Sequence, residues 1–385
     1  VRVVALEQSM AMPFCTFMLA ELGADVIKIE RPGKGDVIRG WDNVANGLSS
    51  GFVAANAGKR DIALDLSKPE GVEIVRRLVQ TADVFVENYR PGAAERLGLS
   101  HEVLSQLNPG LIYCSLSGYG QTGPYRDVRA FDLLVQGESG ILLTNGSPGQ
   151  PAKVGLPITD MISGSTAAIG ITSALFQRAT DGQGRYLDVS MLDSAVAWLG
   201  YFPHHFWHSG EVPPLRGMHH QYLCPYGPYL AADDQWVNLV VADENQWLRL
   251  CEQVLDRPEW VSDPSTASVA ARSQHRVELE ALIAEEIRRR PSAAWFELLD
   301  AAALPYGAVR DIGSVLSHPQ LAHRRMVVNS DSPVGELPLV RFPLADPDRP
   351  RSVPALGGDI DAVLAEVGFT PDSIAELRRD GVTGT

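Results

Sequence analysis

The chain has 385 residues, 45% of them hydrophobic and 21% charged, which is long enough for two or three domains with substantial cores. Its 47 acidic residues outnumber 33 basic ones, and the formal charge of −14 argues against a broad electrostatic footprint for nucleic acid or an anionic membrane. Basic residues must act locally, and all but five of them are arginine, the side chain suited to bidentate contact with phosphate and carboxylate.

From 1 to about 200, short β-branched runs alternate with helical patterns, the sign of a parallel sheet covered by helices. Strands are expected at 2–6, 25–30, 61–66, 83–87, 111–117, 153–158 and 185–190. Between them, 13–23 opens on Pro and ends on Gly, and 68–81 places Val72, Ile74, Val75 and Leu78 on one helical face. The segment 160–178 starts at Asp160, a plausible N-cap, and carries Gly164, Ala167, Ala168 and Gly170, whose small side chains imply close helix packing. A break into aromatics, prolines and histidines at 201–225 reads as a linker. Beyond it, 226–231 and 235–241 read as a hairpin, with helices near 245–255, 270–289 and 292–303, strand-like pieces at 308–345 and two terminal helices within 359–380.

Cys15, Cys114, Cys224 and Cys251 form no CxxC pair and are too sparse for a disulfide framework, so a cytoplasmic location is expected. No apolar run approaches the roughly 20 residues of a membrane-spanning helix, and the start of the chain lacks a basic n-region with a cleavage site.

Two motifs invite over-reading. Residues 118–123, Gly-Tyr-Gly-Gln-Thr-Gly, match GxGxxG after a strand, but Pro124 biases Gly123 away from helix and several strands precede the motif. A loop at a strand end, able to line a site, is the simpler reading. Five histidines fall within 204–220, and His204 and His208 have i, i+4 spacing. No HExxH glutamate lies between them, so a metal site is not expected.

The informative stretch is Lys153-Val-Gly-Leu-Pro-Ile-Thr-Asp160-Met-Ile-Ser-Gly, followed by Asp181-Gly-Gln-Gly-Arg-Tyr-Leu-Asp188. With Gly23-Ala-Asp-Val-Ile-Lys-Ile-Glu-Arg-Pro32, Asn56-Ala-Gly-Lys-Arg60, Glu87-Asn-Tyr-Arg-Pro-Gly92 leading to Glu95-Arg-Leu-Gly98, and Pro225-Tyr-Gly227, it resembles the class III CoA-transferase family over nearly the whole chain. That family includes formyl-CoA and carnitine CoA-transferases and the related α-methylacyl-CoA racemases.

The resemblance implies an α/β fold: a Rossmann-like open-sheet large domain over 1–200 completed by about 330–385, a linker at 201–225, and a smaller α/β domain at 226–325. It also implies an interlocked homodimer. Asp160 is implied as the nucleophile, since a carboxylate can attack a thioester, form a mixed anhydride and release CoA thiolate. Arg31, Leu64, Asn88, Tyr89, Arg96 and Arg129 are implied contacts for CoA, which enters as a thioester substrate; no prosthetic group, metal, nucleic acid or membrane is implied.

Two departures narrow the subclass. The histidine of the racemase His-Asp dyad is replaced in Ala130-Phe131-Asp132 by a side chain that cannot move a proton, although Glu244 falls near the other racemase carboxylate. A 2-methylacyl-CoA racemase is therefore the alternative. Met10 stands where formyl-CoA transferase has glutamine, and the N-terminal wording is more similar to members acting on small dicarboxylates such as succinate, mesaconate, itaconate or citramalate. A non-catalytic CoA binder and a nicotinamide oxidoreductase complete the hypotheses.

Overall fold

A computed structural model describes residues 1–384. The chain forms two compact units, one of residues 1–141, 154–200 and 319–385, the other of residues 142–153 and 201–318.

The first unit is built on six parallel strands: β1 (Arg2–Leu6), β2 (Asp25–Glu30), β3 (Arg60–Ala63), β4 (Val84–Glu87), β5 (Ile112–Ser117) and β6 (Arg185–Ser190). They lie in the order β3-β2-β1-β4-β5-β6, so the chain leaves β1 in both directions and opens a crevice where the carboxyl ends of β1 and β4 diverge. Alternate residues face opposite ways, which divides the core. Val3, Ala5, Val84, Val86, Ile112 and Cys114 face α1 (Ala11–Glu21) and a long helix, Ile158–Asp181. Val4, Leu6, Ile27, Ile29 and Phe85 face α2 (Pro69–Gln80) and α3 (His101–Leu107). On α2, Pro69 starts the helix and Ile74, Val75, Leu78 and Val79 are buried at helical spacing.

Two further helices complete this side: α4 (Asp132–Glu138) and α5 (Ile158–Asp181). At Gly164 of α5 an added Cβ would stand 2.4 Å from the Ala11 carbonyl oxygen, so the absence of a side chain lets α1 and α5 approach backbone to backbone. The end of the chain closes the other face: Leu64 bridges Thr383, and Ile360, Val363 and Leu364 join the core there.

The second unit has a three-stranded antiparallel sheet, β7 (Tyr226–Leu230), β8 (Trp236–Val240) and β9 (Tyr306–Ala308), in the order β9-β8-β7. Trp247, Leu250, Ile283, Trp295 and Leu299 from its helices pack over Tyr229, Val237 and Leu239. The expected hairpin is present, with Trp236 opposite Leu230 and Val240 opposite Tyr226.

Four local expectations are corrected. No strand forms at 153–158: Gly155 and Pro157 interrupt it, and the chain enters α5 at Ile158. Strand 61–66 stops at Ala63, where Leu64 turns to meet Thr383. Asp160 is the third residue of α5 rather than its N-cap, a position held by Pro157. Within 201–225, Phe202–Ser209 is helical, with Pro203 tolerated in its first turn. Among the described residues no helix is long and apolar enough to cross a membrane, and all four cysteines are free and buried.

Candidate active site

Asp160 lies in the first turn of α5, where Asp132, at the start of α4, fixes the local backbone. One Asp132 carboxylate oxygen accepts both the Thr159 N–H and the Thr159 hydroxyl at 2.8 Å each, and the other accepts from Gln136 Nε2 at 2.7 Å. Ser163 Oγ donates to the carbonyls of Thr159 at 2.8 Å and Asp160 at 3.1 Å. These contacts fix the backbone at Thr159 and Asp160, while the Asp160 carboxyl has no hydrogen-bond partner among the described residues. Burial pushes that carboxyl up to about 7, helped by the negative charge of Asp132. Near neutrality it is a partly ionised carboxyl, a group whose chemistry allows attack on an acyl carbonyl.

A concavity of about 290 Å³ opens at the carboxyl ends of β1 to β4. Leu6, Ile29, Leu64, Leu66 and Leu97 form its apolar wall, Tyr89 lies on one side, and Arg31, Asp65 and Ser67 form its polar mouth. Arg31 is exposed and its charge helps hold the Asp65 carboxyl below its ordinary range, after the hydrogen bonds from Ser67. Arg31, Leu64 and Tyr89 are therefore brought together. Asn88, Arg96 and Arg129 do not line this cavity. Arg96 and Arg129 are exposed, and Asn88 is engaged with the backbone of Gln8, accepting its N–H and donating to its carbonyl at 2.9 Å each.

That clasp joins the cavity to the start of α1. Ser9, held at a left-handed φ of 67°, donates its N–H to Asp36 Oδ1 at 2.8 Å, and α1 begins two residues later beside α5. Asp36 in turn accepts from the buried Lys28 ammonium at 2.8 Å, and Lys59 Nζ donates to Glu7 Oε1 at 2.7 Å. Burial pushes Lys59 down to about 8 even with Glu7 beside it. Despite the same burial, the two ammonium groups keep the Glu7 carboxyl below its ordinary range. Behind them Arg39 forks onto Glu30 with two 2.8 Å bonds and stacks on Phe52. Of these residues, Lys28, Glu30 and Lys59 lie in stretches that carry the family resemblance.

Asp132 and Glu87 were missed as site residues. Glu87 ends β4, accepts the Ser115 hydroxyl at 2.5 Å and the Tyr89 N–H at 2.9 Å, and is nevertheless raised to about 7 by burial. An acidic residue ending an otherwise apolar strand was the available signal for Glu87; Asp132 entered only beside Phe131, in the stretch set against the racemase dyad. Loop 118–123 is non-helical, with Gly120 and Gly123 at positive φ.

The histidines do not converge. The rings of His204 and His208 are 6.4 Å apart, whereas His220 Nδ1 accepts the N–H groups of Tyr222 and Leu223 at 3.1 and 3.0 Å. Glu244 is paired with Arg272 at 2.7 Å and accepts the Val269 N–H at 2.9 Å, and Phe131 is 70% exposed.

The chain is similar to known proteins over most of its length. The model for CoA-transferase family III matches residues 1–360. A succinate–glutarate CoA-transferase of Agrobacterium fabrum is 36% identical, covering 95% of this chain and 94% of its own. An acetyl-CoA:oxalate CoA-transferase of Acetobacter aceti is also 36% identical, over 83% and 82%. The crystal structure of a CAIB/BAIF family protein from Brucella suis superposes with a TM-score of 0.84 at 32% identity, over 95% of this chain and 98% of that one. The chain belongs to CoA-transferase family III and is a CoA-transferase.

Proposed function

We propose that the chain moves CoA from an acyl-CoA thioester to a free carboxylic acid through covalent intermediates on Asp160. The observation that carries this reading is the Asp160 carboxyl itself, free of hydrogen-bond partners among the described residues and raised to about 7 at a fixed helix start. Its carboxylate attacks the thioester carbonyl, and the C–S bond breaks to give a mixed anhydride and CoA thiolate. The thiolate attacks the aspartyl carbonyl, releasing the donor acid and leaving an aspartyl-CoA thioester. The acceptor carboxylate displaces thiolate to form a second anhydride, and thiolate attack on the acceptor carbonyl releases the new acyl-CoA and restores Asp160. No redox change occurs, and the chemistry requires no prosthetic group.

In this reading Leu64 and Tyr89 border the adenine and pantetheine of CoA, while Arg31, Arg96 and Arg129 meet its phosphates. Asn88 acts by fastening the loop at Gln8 beside the pantetheine path. A small dicarboxylic acid is the proposed acceptor, supported by the N-terminal wording and by the succinate–glutarate relative. The racemase alternative is left with an exposed Phe131 and a paired Glu244. The strand order supports the Rossmann-like description of the large domain, with 201–225 leading into the small one. An interlocked homodimer is supported by apolar side chains that one chain leaves in solvent, among them Ile169 (67% exposed) and Phe176 (79%) on α5. The reduced, buried cysteines fit a cytoplasmic enzyme.

Incubation with a panel of acyl-CoA donors and free mono- and dicarboxylic acids tests the reaction. Mass spectrometry should detect a new CoA ester for at least one dicarboxylate. Exchange of the α-hydrogen with solvent deuterium, without any new ester, would replace this reading with the racemase. Light scattering showing an active monomer would remove the dimer.

A further inference from the structure

Arg126 lies in the loop between β5 and α4. That loop is closed where Gly118 meets Ala130, an added Cβ at Gly118 standing 2.1 Å from the Ala130 methyl, and its middle is tied down by the Gln121 N–H on Asp188 at 3.0 Å. This brings Arg126 to Gly92, at the turn after β4. A Cβ on Gly92 would stand 3.2 Å from Arg96 Nη1 and 3.4 Å from Arg126 Nη2, so two guanidinium groups converge on one bare stretch of backbone. Gly92 has a φ of 77°, which suits a residue without a side chain.

Neither guanidinium forms an ion pair among the described residues, and Arg126 Nε is buried without a hydrogen-bond partner. Gln121 Nε2 is likewise buried and unpartnered, and it lines the same cavity of about 190 Å³ as Gly92, Ser100 and Arg126. The carboxylates that line that cavity form no ion pair with either arginine: Glu87 is taken by Ser115 and Tyr89, Glu102 is held at the start of its own helix, and Glu95 lies beyond ion-pair distance. Two adjacent cations and two orphaned donors call for an anion with several acceptor oxygens.

We propose that Arg126 and Arg96 together bind a phosphate group of CoA across the face of Gly92, with Gln121 supplying a further donor. The proposal rests on Arg96 lying along the CoA path, and adds Arg126 as a binding residue that no motif had singled out. Diphosphate and 3′-phosphate share the required chemistry.

Calorimetric titration of wild type, Arg126→Ala, Arg126→Lys and Arg96→Ala with CoA, 3′-dephospho-CoA and pantetheine tests it. Arg126→Ala should weaken CoA binding about tenfold and flatten its dependence on salt, Arg126→Lys should restore part of the loss, and pantetheine binding should not change. A loss that persists with dephospho-CoA assigns the diphosphate; one that disappears assigns the 3′-phosphate. CoA binding by a folded Arg126→Ala protein that matches wild type in affinity and salt dependence overturns the proposal, as does an equal loss with pantetheine. An effect confined to Arg96→Ala removes Arg126 alone, whereas wild type that does not bind CoA removes the CoA path as well.

Discussion

The Asp132 carboxylate holds Thr159 by two 2.8 Å hydrogen bonds, one from its backbone N–H and one from its hydroxyl. Thr159 immediately precedes Asp160, so one carboxylate both caps the helix that carries the proposed nucleophile and raises that nucleophile's affinity for a proton. Asp132→Asn keeps the shape and an acceptor oxygen but removes the charge. The acidic limb of the pH–rate profile should therefore move to lower pH. Asp132→Ala also removes the cap and should cost about 1–2 kcal/mol of stability, read as a lower Tm.

The raised Asp160 carboxyl sets two pH dependences of opposite sense. Attack requires the carboxylate, so kcat/KM should fall as pH drops through about 7. Stability runs the other way. A carboxyl whose value in the fold, about 7, exceeds its ordinary 3.8 favours the protonated folded protein, and its contribution is lost as pH rises through that window. Asp160→Asn should thus raise Tm at pH 8, with little change at pH 4.

Asp61 is buried near Glu30, and its surroundings favour the protonated acid. Burial and the neighbouring Glu30 raise Asp61, whereas Arg39 and Lys28 hold Glu30 down against its burial. Asp61 Oδ1 also accepts the Gly357 N–H at 2.6 Å, fastening the C-terminal segment. Because Asp61 is the raised member, wild type should lose stability as pH rises into the alkaline range. Asp61→Asn, which imitates the neutral acid, should not lose it. Asp61→Ala leaves the Gly357 donor unpaired and should cost about 1–3 kcal/mol in denaturant unfolding near neutrality.

At Gly164 the absent Cβ sets the distance between α1 and α5. Gly164→Ala puts a methyl 2.4 Å from the Ala11 carbonyl oxygen, and both helices must shift. A loss of about 1–3 kcal/mol is expected, with kcat falling because Asp160 lies one turn away. An unchanged Tm would contradict this close-packing account.

Much of this architecture is legible in the chain because its β-branched runs and helical stripes are local. The hydrophobic face of 68–81 appears as buried Ile74, Val75 and Leu78, and 2–6, 25–30 and 185–190 are strands as read. What was not legible depends on distant partners. Asp160 looked like a cap because the group that caps its helix start, Asp132, is 27 residues from Thr159. The Glu7–Lys59 pair spans 52 residues. Segment 153–158 carries strand-like Val154 and Ile158, yet the intervening glycine and proline and the Asp132 contact turn it into the approach to a helix. Of the six proposed CoA contacts, Arg31, Leu64 and Tyr89 converge on one cavity, and Asn88 instead holds Gln8.

The central claim is that CoA passes through a covalent link to Asp160. Its most direct test is to mix the enzyme with an acyl-CoA donor and no acceptor, quench with hydroxylamine, and sequence the peptides by mass spectrometry. The account predicts a hydroxamate at Asp160 that is absent without donor, and loss of transfer by about a thousandfold or more in folded Asp160→Ala. A hydroxamate on another residue, or transfer at the wild-type rate by Asp160→Ala, would contradict it.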